Sequence, residues 1–591
     1  MNRRWFINRT NPEYINYLSR AVSISPILAQ VLINRGIKTP DGINDFLHSG
    51  ITSLSDPSDL PDMDVAVERI KNALSRNERV LVHGDYDTDG LTATAIMVHA
   101  LRTIGMDVHY FIPNRMVHGY GFNPSSVDAA EKLGVKLIIT VDCGIASFDA
   151  AAYAKGKGID VIITDHHEPV ISNEKAATSD ELRATSKGYG VRYSLPYASA
   201  VINPKLKTDD YRLSVLSGAG IALKVVQALS MQQDMPISHD DFLSLLDLAA
   251  LGTVADIVPL IGENRVILKE GLRYIHDAYR PGIRSLKEVS GLSGRDIKAE
   301  LLSFTMVPRI NAAGRLNDAR DVIRLFLSDS IEESLSIAES LDRTNSERQR
   351  IEEEVYQEAL SQLNTKGYDT AIVLYKEGWH MGVIGIVASR IAEEFYRPTF
   401  VFSIEGYTAK GSARSIPPFD IYKGLSACQD TLLSYGGHKQ AAGINLYASN
   451  LSVFEEKINN IAKETLRDED FIPSIEIDAE ATLSVVSADL IRELSMLEPL
   501  GHGNPGPLLG ARRLDVLNPR IVGNNHLKMT LRQTQGRQRA LSIDAIGFDM
   551  GELLKGLDSV TSIDAAFTPT INEWNGGRYL QLNLKALRPS L

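Results

Sequence analysis

The sequence predicts an α/β protein: a parallel-sheet domain joined by a long helix to a smaller α/β domain, followed by a C-terminal β-barrel. Three observations support this prediction. Short apolar runs alternate with helical stretches from about residue 80, a charged helical segment begins at residue 331, and period-two runs recur beyond residue 474. At 591 residues the chain is too long for one hydrophobic core, so two to four domains are expected.

The first element is a small helical segment, predicted over residues 1–45. Ser25 and Pro26 supply a cap and a first-turn proline before the apolar run Ile27–Leu32. Gly36 then ends the helix at a position where left-handed backbone is favoured.

The next elements are apolar, β-branched strands separated by helices, and they define a domain predicted over residues 46–330. Unbroken apolar runs of this length are typical of parallel strands that are buried on both faces. The predicted strands are Val80–Val82, Val108–Ile112, Leu137–Val141, Val161–Thr164 and Ala200–Ile202.

A charged segment, residues 331–365, is predicted to be a helix connecting two domains, because apolar residues recur along it at helical spacing. The second α/β domain, predicted over residues 366–470, contains the strand Thr370–Leu374, the helix Val383–Ala392 and the strand Thr399–Phe402.

Residues 471–591 are predicted to form a small antiparallel barrel, because apolar and polar residues alternate at Ile475–Asp478, Leu527–Leu531 and Tyr579–Leu584. The formal net charge of −12 argues against coating nucleic acid by bulk electrostatics. From Ala511 onward, however, eleven Arg or Lys stand against seven Asp or Glu. The barrel therefore offers a local basic track on an acidic protein.

Composition also bears on the compartment. We find no secretory signal and no apolar run that approaches the ~20 residues of a membrane span, so no membrane partner is expected. The two cysteines, Cys143 and Cys428, are far apart in sequence, which fits a reducing, cytoplasmic setting.

Three of the predicted strands run directly into acidic or imidazole side chains. In an open α/β sheet, ligands bind in the crevice at the carboxyl ends of the strands. The side chains gathered there are His83, Asp85, Asp87 and Asp89 after the first strand, Asp142 after the third, and Asp165, His166 and His167 after the fourth.

So many carboxylates in one crevice repel each other, and burial raises their pKa values further. Divalent cations supply the compensating charge, and Asp and His without Cys favour Mn²⁺ or Mg²⁺. Two such ions sharing a carboxylate can activate a water and neutralise charge on a phosphoryl group, so the pattern predicts phosphoester hydrolysis.

Each motif has an alternative interpretation when taken alone. The run from Asp85 to Gly90 copies the start of an EF-hand loop, but Ile96 stands where the bidentate Glu is needed and a strand precedes it. Asp142 alone could cap a helix, and Asp165–His167 alone could be a solvated turn. Their coincidence at several strand ends favours the metal site.

These motifs resemble the signature of the DHH phosphoesterases and, within that family, of the RecJ nucleases. The segment Gly252–Leu260 is similar to the family's fourth motif, whose Asp is a metal ligand, here Asp256. The resemblance implies one metal held by His83, Asp87 and Asp142, and a second held by Asp89, Asp142, His166 and Asp256. It also implies that Asp142 bridges the two, that Asp85 and Asp165 act from behind the ligands, and that His167 faces the scissile phosphate.

The resemblance continues into the family's accessory DHHA1 domain and an OB-fold-like barrel, which Gly501–Pro505 opens much as in RecJ proteins. The substrate-binding residues that we predict are Arg115, Tyr120, Arg309, Asn311, Arg315, His380, Ser412, Arg414, Gly436, Gly437 and His438. Arg414 offers a bidentate fork beside the Ser412 hydroxyl for a terminal 5′ phosphate, with help from Arg115. Tyr120 could stack on a base. Taken alone, Arg115 could equally be a solvated loop cation, and Gly436–Gly437 a simple turn.

The resemblance implies a two-metal, 5′ to 3′ exonuclease that degrades single-stranded DNA to 5′-mononucleotides in repair and recombination. A monomer that works with a single-strand-binding protein and a helicase is expected from the resemblance only. Two alternatives remain. The same chemistry could act on short oligonucleotides, cyclic dinucleotides or polyphosphate, or the fold could serve as a non-catalytic, Cdc45-like scaffold, although such scaffolds lose metal ligands.

Overall fold

The computed structural model describes residues 3–114, 121–171, 183–186, 192–206, 210–316, 318–533, 541–557, 560, 562–574 and 576–590. The chain forms two compact units. The smaller unit comprises Met1–Asn8 and Arg343–Ile477, and the larger unit comprises Arg9–Asp342 and Asp478–Leu591. Among the described residues, no helix is both long and apolar enough to cross a membrane.

The larger unit contains a five-stranded, wholly parallel sheet, as predicted. In sheet order its strands are Val108–Phe111, Val80–His83, Leu137–Val141, Asp160–Thr164 and Ala200–Ile202. The neighbouring strands Val80–His83 and Leu137–Val141 are buried throughout, which explains their unbroken apolar sequences. The strand order reverses between these two strands, so their carboxyl ends border the crevice where such sheets bind ligands.

The larger unit contains many helices; the first three and the last two share a hydrophobic core with the C-terminal strands, whereas others share cores with this sheet. In chain order they are Pro12–Ala21, Pro26–Asn34, Pro40–His48, Met63–Ser75, Thr88–Thr103, Pro124–Lys132, Phe148–Gly156, Gly218–Ser230, His239–Ser244, Leu246–Ala255, Gly262–Asp277, Pro281–Val289, Ala299–Phe304, Met306–Leu316, Arg320–Leu327, Ala488–Ser495 and Leu554–Leu557. Short strands at Val170–Ile171, Arg183–Ser186 and Arg192–Leu195 form a small antiparallel sheet. Three nearly buried helices, Thr88–Thr103, Gly218–Ser230 and Leu246–Ala255, pack against one another beside the crevice.

The predicted N-terminal helix is present, with the predicted ends. The Ser25 hydroxyl accepts a hydrogen bond from the Leu28 amide at 3.2 Å, and Gly36 has φ +82°. The structure adds a strand that the sequence did not predict, Arg4–Ile7, which pairs in parallel with Ser474–Ile477 within the smaller unit.

A closed β-barrel forms the C-terminal part of the larger unit. Its strands, in order, are Leu509–Val522, His526–Gln533, Leu541–Gly547, Gly577–Pro589 and Ile563–Trp574, and the last pairs with the first. The short strand Ala479–Glu480 pairs in parallel with the beginning of the first strand, at Leu509 and Gly510. The run Ile475–Asp478, predicted to join the barrel, instead contributes its strand to the smaller unit. Its period-two pattern fixed a strand with one buried face but not the pairing partner.

The smaller unit contains a five-stranded sheet in the order Ile372–Glu377, Thr399–Glu405, Thr408–Arg414, Ala441–Tyr447 and Leu432–Gly437. The first pair is parallel and the others are antiparallel. Its helices are Ile384–Phe395, Ile421–Ala427 and Leu451–Thr465. The charged segment is one continuous helix, Ile331–Lys366.

Candidate metal centre and substrate residues

The predicted ligands follow neighbouring parallel strands. His83 is the last residue of Val80–His83, Asp142 directly follows Leu137–Val141, and Asp165 follows Asp160–Thr164. Because these strands are adjacent and parallel, the loops after them lie side by side at the sheet's switch point.

Three groups of side chains in this crevice can each hold a cation, since their ligand atoms lie within 4.8 Å of one another. The groups are Asp85, Asp87 and Asp142; Asp89, His166 and Asp256; and Asp142, His166 and His167. Asp142 and His166 each belong to two groups. Shared ligands of this kind are what a two-metal site requires.

The structure groups Asp85, but not His83, with other candidate ligands among the described residues. His83 is fully buried, its ring stacks on Phe111 with the centroids 5.5 Å apart, and it belongs to none of the three groups found among the described residues. Asp85, expected behind the ligands, lies with Asp87 and Asp142. The geometry therefore favours Asp85 as a ligand, and metal binding by His83 stays a prediction.

Asp89 is held by the amino terminus of a neighbouring helix. Its two carboxylate oxygens accept hydrogen bonds from the amides of Gly218 and Ala219, at 2.6 and 2.9 Å. These are the first residues of the helix Gly218–Ser230, whose positive dipole end stabilises the carboxylate. This contact orients Asp89 towards His166 and Asp256.

Two glycines that sequence reasoning missed permit this close packing. A Cβ on Gly218 would lie 2.6 Å from the Asp142 Cβ, and a Cβ on Gly252 would lie 2.6 Å from an Asp89 carboxylate oxygen. Any side chain at either position would push a ligand out of the crevice. Gly252 stands inside the fourth motif, which is the signal that could have identified it.

Asp142 has a left-handed backbone, with φ +60°. Asp and Asn are the side-chain-bearing residues that tolerate this conformation best. The conformation turns the chain back at the end of the strand and keeps the carboxylate, which is 2% exposed, inside the crevice.

The electrostatics of the crevice require a positive charge. Burial, and then the neighbouring Asp87, raise the pKa of Asp89 to about 7. Burial and Asp89 raise the pKa of Asp256 to about 8 and that of Asp142 well above its ordinary value. These raised pKa values mean that the ionised carboxylates are costly in the crevice unless cations compensate their charge.

One nitrogen of His166 lies between two of these carboxylates. Its Nε2 is 3.1 Å from Asp142 Oδ1 and 3.4 Å from Asp256 Oδ2. Burial lowers the pKa of His166 to about 3, so the imidazole is neutral. Nε2 and Asp142 Oδ1 are buried and make no hydrogen bond within the part of the chain that the structure describes. A divalent cation between them would satisfy both atoms, so the residues fit Mn²⁺ or Mg²⁺.

His167 is oriented by the buried Asp165. Asp165 Oδ1 contacts His167 Nδ1 at 2.7 Å and accepts the His167 amide, while Oδ2 accepts the Ile145 amide at 2.8 Å. Burial opposes a charge on His167, but Asp165 outweighs it and raises the pKa of His167 to about 9. The ring is 37% exposed, so a substrate could reach it.

The predicted substrate residues of the larger unit are only partly accounted for. Arg115 and Tyr120 lie outside the described residues. Asn311 accepts hydrogen bonds from the Thr88 amide and hydroxyl, at 2.9 and 2.8 Å, and so supports the start of the helix Thr88–Thr103, where Asp87 is the N-cap and Asp89 lies in the first turn.

Arg309 and Arg315 lie in the same helix, Met306–Leu316, as Asn311. The Arg309 guanidinium is engaged within the protein, by Asp342 at 2.8 Å and the Thr305 carbonyl at 2.8 Å. Substrate contact by these residues stays a prediction.

The smaller unit brings several predicted residues together around the strand Thr408–Arg414. Arg414 Nη1 donates to the Ser412 hydroxyl at 3.2 Å. The helix Ile384–Phe395 begins beside them, because a Cβ on Gly385 would lie 3.0 Å from Ser412 Oγ and 3.4 Å from Arg414 Nη2. A guanidinium, a hydroxyl and a helix amino terminus are groups that favour anions, and phosphate recognition by them stays a prediction.

The other predicted residues of this unit lie at turns and strand ends. His380 Nδ1 accepts the Gly382 amide at 3.0 Å, before the helix Ile384–Phe395. Gly436 and Gly437 end the strand Leu432–Gly437, and the His438 amide donates to the Ala441 carbonyl at 2.7 Å. A Cβ on Gly436 would meet no described atom within 4 Å, so the backbone there is reachable.

Comparison with known proteins matches three parts of the chain to family models. The DHH family, N-terminal domain, matches residues 79–253, the DHHA1 domain matches residues 369–464, and the RecJ OB domain matches residues 477–586. All three matches fall in regions whose folds are described above.

The chain is also similar to individual proteins over nearly its whole length. It is 37% identical to a single-stranded-DNA-specific exonuclease RecJ of Bacillus subtilis over 587 residues, which is 98% of this chain and 70% of the relative. The fold is similar to crystal structures of RecJ from Thermus thermophilus in complex with Mn²⁺ (TM-score 0.81, 31% identity, 100% of this chain and 80% of that one) and with Mg²⁺ (TM-score 0.76, 30% identity, 100% and 79%).

Proposed function

The chain belongs to the RecJ family of DHH phosphoesterases, and we therefore propose that it is a metal-dependent exonuclease that degrades single-stranded DNA. The observation that carries this proposal is the set of three overlapping ligand groups that share Asp142 and His166 at the switch point of the sheet. A scaffold that had lost catalysis would not retain every carboxylate of such a site.

The reaction that we propose is hydrolysis of the terminal phosphodiester to release 5′-mononucleotides. Two divalent cations, when bound, supply Lewis acidity to the phosphoryl group and lower the pKa of a water nucleophile. Asp85, Asp87 and Asp142 would hold one ion, and Asp89, His166 and Asp256 the other, with Asp142 reaching both.

His167 is proposed to act on the phosphate or its leaving oxygen. Asp165 fixes the ring through Nδ1, which leaves Nε2 as the atom that can donate a hydrogen bond to the substrate. The raised pKa of His167 favours the proton-bearing form, which can stabilise charge on a departing oxygen.

The 5′ to 3′ polarity is proposed to come from recognition of a terminal phosphate by Ser412 and Arg414. The guanidinium beside the hydroxyl and the start of the helix Ile384–Phe395 support this assignment. A strand without a 5′ end would lack the dianionic group that this arrangement favours.

The barrel is proposed to guide the strand. A cavity of about 850 Å³ on it is lined by Arg520 and Lys528 together with the exposed aromatic rings of Phe548 and Tyr579. Basic side chains along the phosphate backbone and aromatic rings that stack on the bases are the usual means by which proteins bind single-stranded DNA.

The proposed cellular setting follows from the cysteines and from family membership. Both cysteines are buried free thiols, which supports a reducing cytoplasm. Action as a monomer alongside a single-strand-binding protein and a helicase in repair and recombination follows from family membership.

The test is digestion of single strands labelled at either end, with Mn²⁺ and with a chelator. We expect a 5′ label to be released at once as a mononucleotide, a 3′-labelled strand to shorten gradually, and the chelator to stop both. Release of phosphate from polyphosphate in preference to nucleotides from DNA would contradict the proposal.

A further inference from the structure

A turn at the entrance of the barrel packs directly on the chain that follows Asp256. The Leu260 amide donates to the His502 carbonyl at 2.8 Å. A Cβ on Gly503 would lie 2.9 Å from the Pro259 Cβ, and a Cβ on Gly501 would lie 2.6 Å from the Leu260 side chain. The turn therefore fits against Pro259 and Leu260 with no space for side chains.

The turn is itself fixed by a buried polar network. Asn504 is fully buried, and its side-chain Nδ2 donates to the backbone carbonyls of Leu497 and Pro499, both at 2.8 Å. Arg265, 4% exposed, donates to the Leu497 carbonyl at 2.8 Å, and Arg35 donates to the Asn504 side chain. Burial lowers the pKa of both guanidinium groups to about 10, so keeping these charges here is costly. The network therefore holds the backbone of the turn in a defined position.

The residue next to Asp256 carries backbone strain. Ile257 has φ +56°, a conformation that is sterically unfavourable for a β-branched residue. Its side chain is 70% exposed, so core packing does not hold it in place. Strain of this kind persists only where the surrounding structure enforces it. The contacts of Pro259 and Leu260 with the turn are positioned to do so.

We infer that the Gly501–Pro505 turn is a positioning element for Asp256. The helix Leu246–Ala255 fixes the chain before Asp256, and the turn fixes the chain after it and holds Ile257 in its left-handed conformation. The Asp256 carboxylate is thereby aimed at the cation that it shares with Asp89 and His166. This inference rests on the proposed function and gives the barrel a role in metal binding besides guiding DNA.

The test compares two glycines with matching backbones. Gly503 has φ +69° and Gly291 has φ +68°, but a Cβ on Gly291 would meet no described atom within 4 Å. Gly503→Ala and Gly291→Ala should both lower Tm, because alanine is strained at positive φ. Only Gly503→Ala should displace Pro259. We expect it to weaken Mn²⁺ binding to the full-length apoprotein by roughly 10- to 100-fold, the range typical when residues supporting metal ligands are changed.

Isothermal titration calorimetry with Mn²⁺ and thermal unfolding are the measurements. An unchanged Kd for Mn²⁺ in Gly503→Ala, with Tm lowered as in Gly291→Ala, would overturn the inference. Should Gly503→Ala not fold, Gly501→Ala is milder because it meets only the end of the Leu260 side chain, and it should weaken Mn²⁺ binding in the same direction.

A second variant tests the strain directly. Ile257→Gly removes the steric drive to leave the left-handed conformation, so adding it to Gly503→Ala should recover part of the lost Mn²⁺ affinity. Failure of the double variant to recover any affinity would count against the inference. Wild-type protein that neither binds Mn²⁺ nor degrades single-stranded DNA would instead refute the proposed function, so the two failures are distinguishable.

Discussion

Replacing Asp142 by asparagine should strongly reduce catalysis while stabilising the apoprotein. Asparagine keeps the size of the side chain and tolerates φ +60°, so the backbone and the contact with Gly218 should persist. The substitution removes a carboxylate that belongs to two ligand groups. If its loss costs about 4 kcal/mol of the several that a metal site supplies, kcat/KM should fall by roughly 10³-fold.

The stability effect has the opposite sign and depends on pH. Burial and Asp89 raise the pKa of Asp142 in the folded protein, so its contribution to stability is present at acid pH and is lost as pH rises above about 4. Asparagine does not titrate. The apo variant should therefore match the wild type near pH 4 and have the higher Tm at pH 8, by a degree or more if the difference exceeds ~1 kcal/mol.

Saturating Mn²⁺ should reverse this order, because a ligand at about 100 times its Kd adds ~2.7 kcal/mol to a protein that binds it. The control is Asp489→Asn, since Asp489 is 82% exposed and forms a surface ion pair with Arg492, which is 77% exposed, at 3.0 Å. Thermal unfolding of apo and Mn²⁺-loaded protein, together with nuclease rates, checks the reasoning. An Asp142→Asn variant with rates within about tenfold of wild type and an undiminished Tm gain from Mn²⁺ would refute it.

Three further outcomes are expected. Mn²⁺ binding should release protons and tighten as pH rises to about 8, because Asp89 and Asp256, with pKa values of about 7 and 8, must lose protons to bind the ion. Calorimetry in buffers of different ionisation enthalpy measures the number of protons released, and binding without proton release would contradict this prediction. Arg414→Ala should lower kcat/KM on 5′-phosphorylated DNA by about 30-fold, the equivalent of ~2 kcal/mol for a charged hydrogen bond, but should leave kcat/KM on 5′-hydroxyl DNA unchanged. Lys410→Ala, in the same β-strand, should affect both DNA substrates equally. Gly218→Ala should weaken Mn²⁺ binding because its methyl would meet Asp142 at 2.6 Å, while Gly156→Ala, whose methyl meets no described atom within 4 Å, should leave Kd unchanged.

The sequence was sufficient to predict the parallel sheet and the candidate ligands that follow its strands. Apolar runs such as Leu137–Val141 report burial on both faces, which is a local property that each residue carries with it. Asp142 and His166 were predictable as candidate ligands because both lie just after such strands, and parallel strands bring their carboxyl ends to one edge whatever their order. Asp256 follows the helix Leu246–Ala255, so only its resemblance to the family's fourth motif made it a candidate.

Only the tertiary structure decided the distances and partners. It placed Asp85 rather than His83 with Asp87 and Asp142, and it paired Ser474–Ile477 with Arg4–Ile7 instead of with the barrel. Ligand grouping depends on differences of a few ångströms, and this strand pairing joins residues hundreds of positions apart. Neither produces a local pattern in the sequence.

The close approaches at Gly218 and at the Gly501–Pro505 turn have the same origin. A glycine in the sequence is consistent with a position that has no room for a side chain, but it does not identify the neighbouring residue that occupies the space. The sequence by itself determined which residue types follow each strand and so the chemistry of the site. The packing of distant segments determined which of those side chains meet, because side-chain proximity is set by the whole fold.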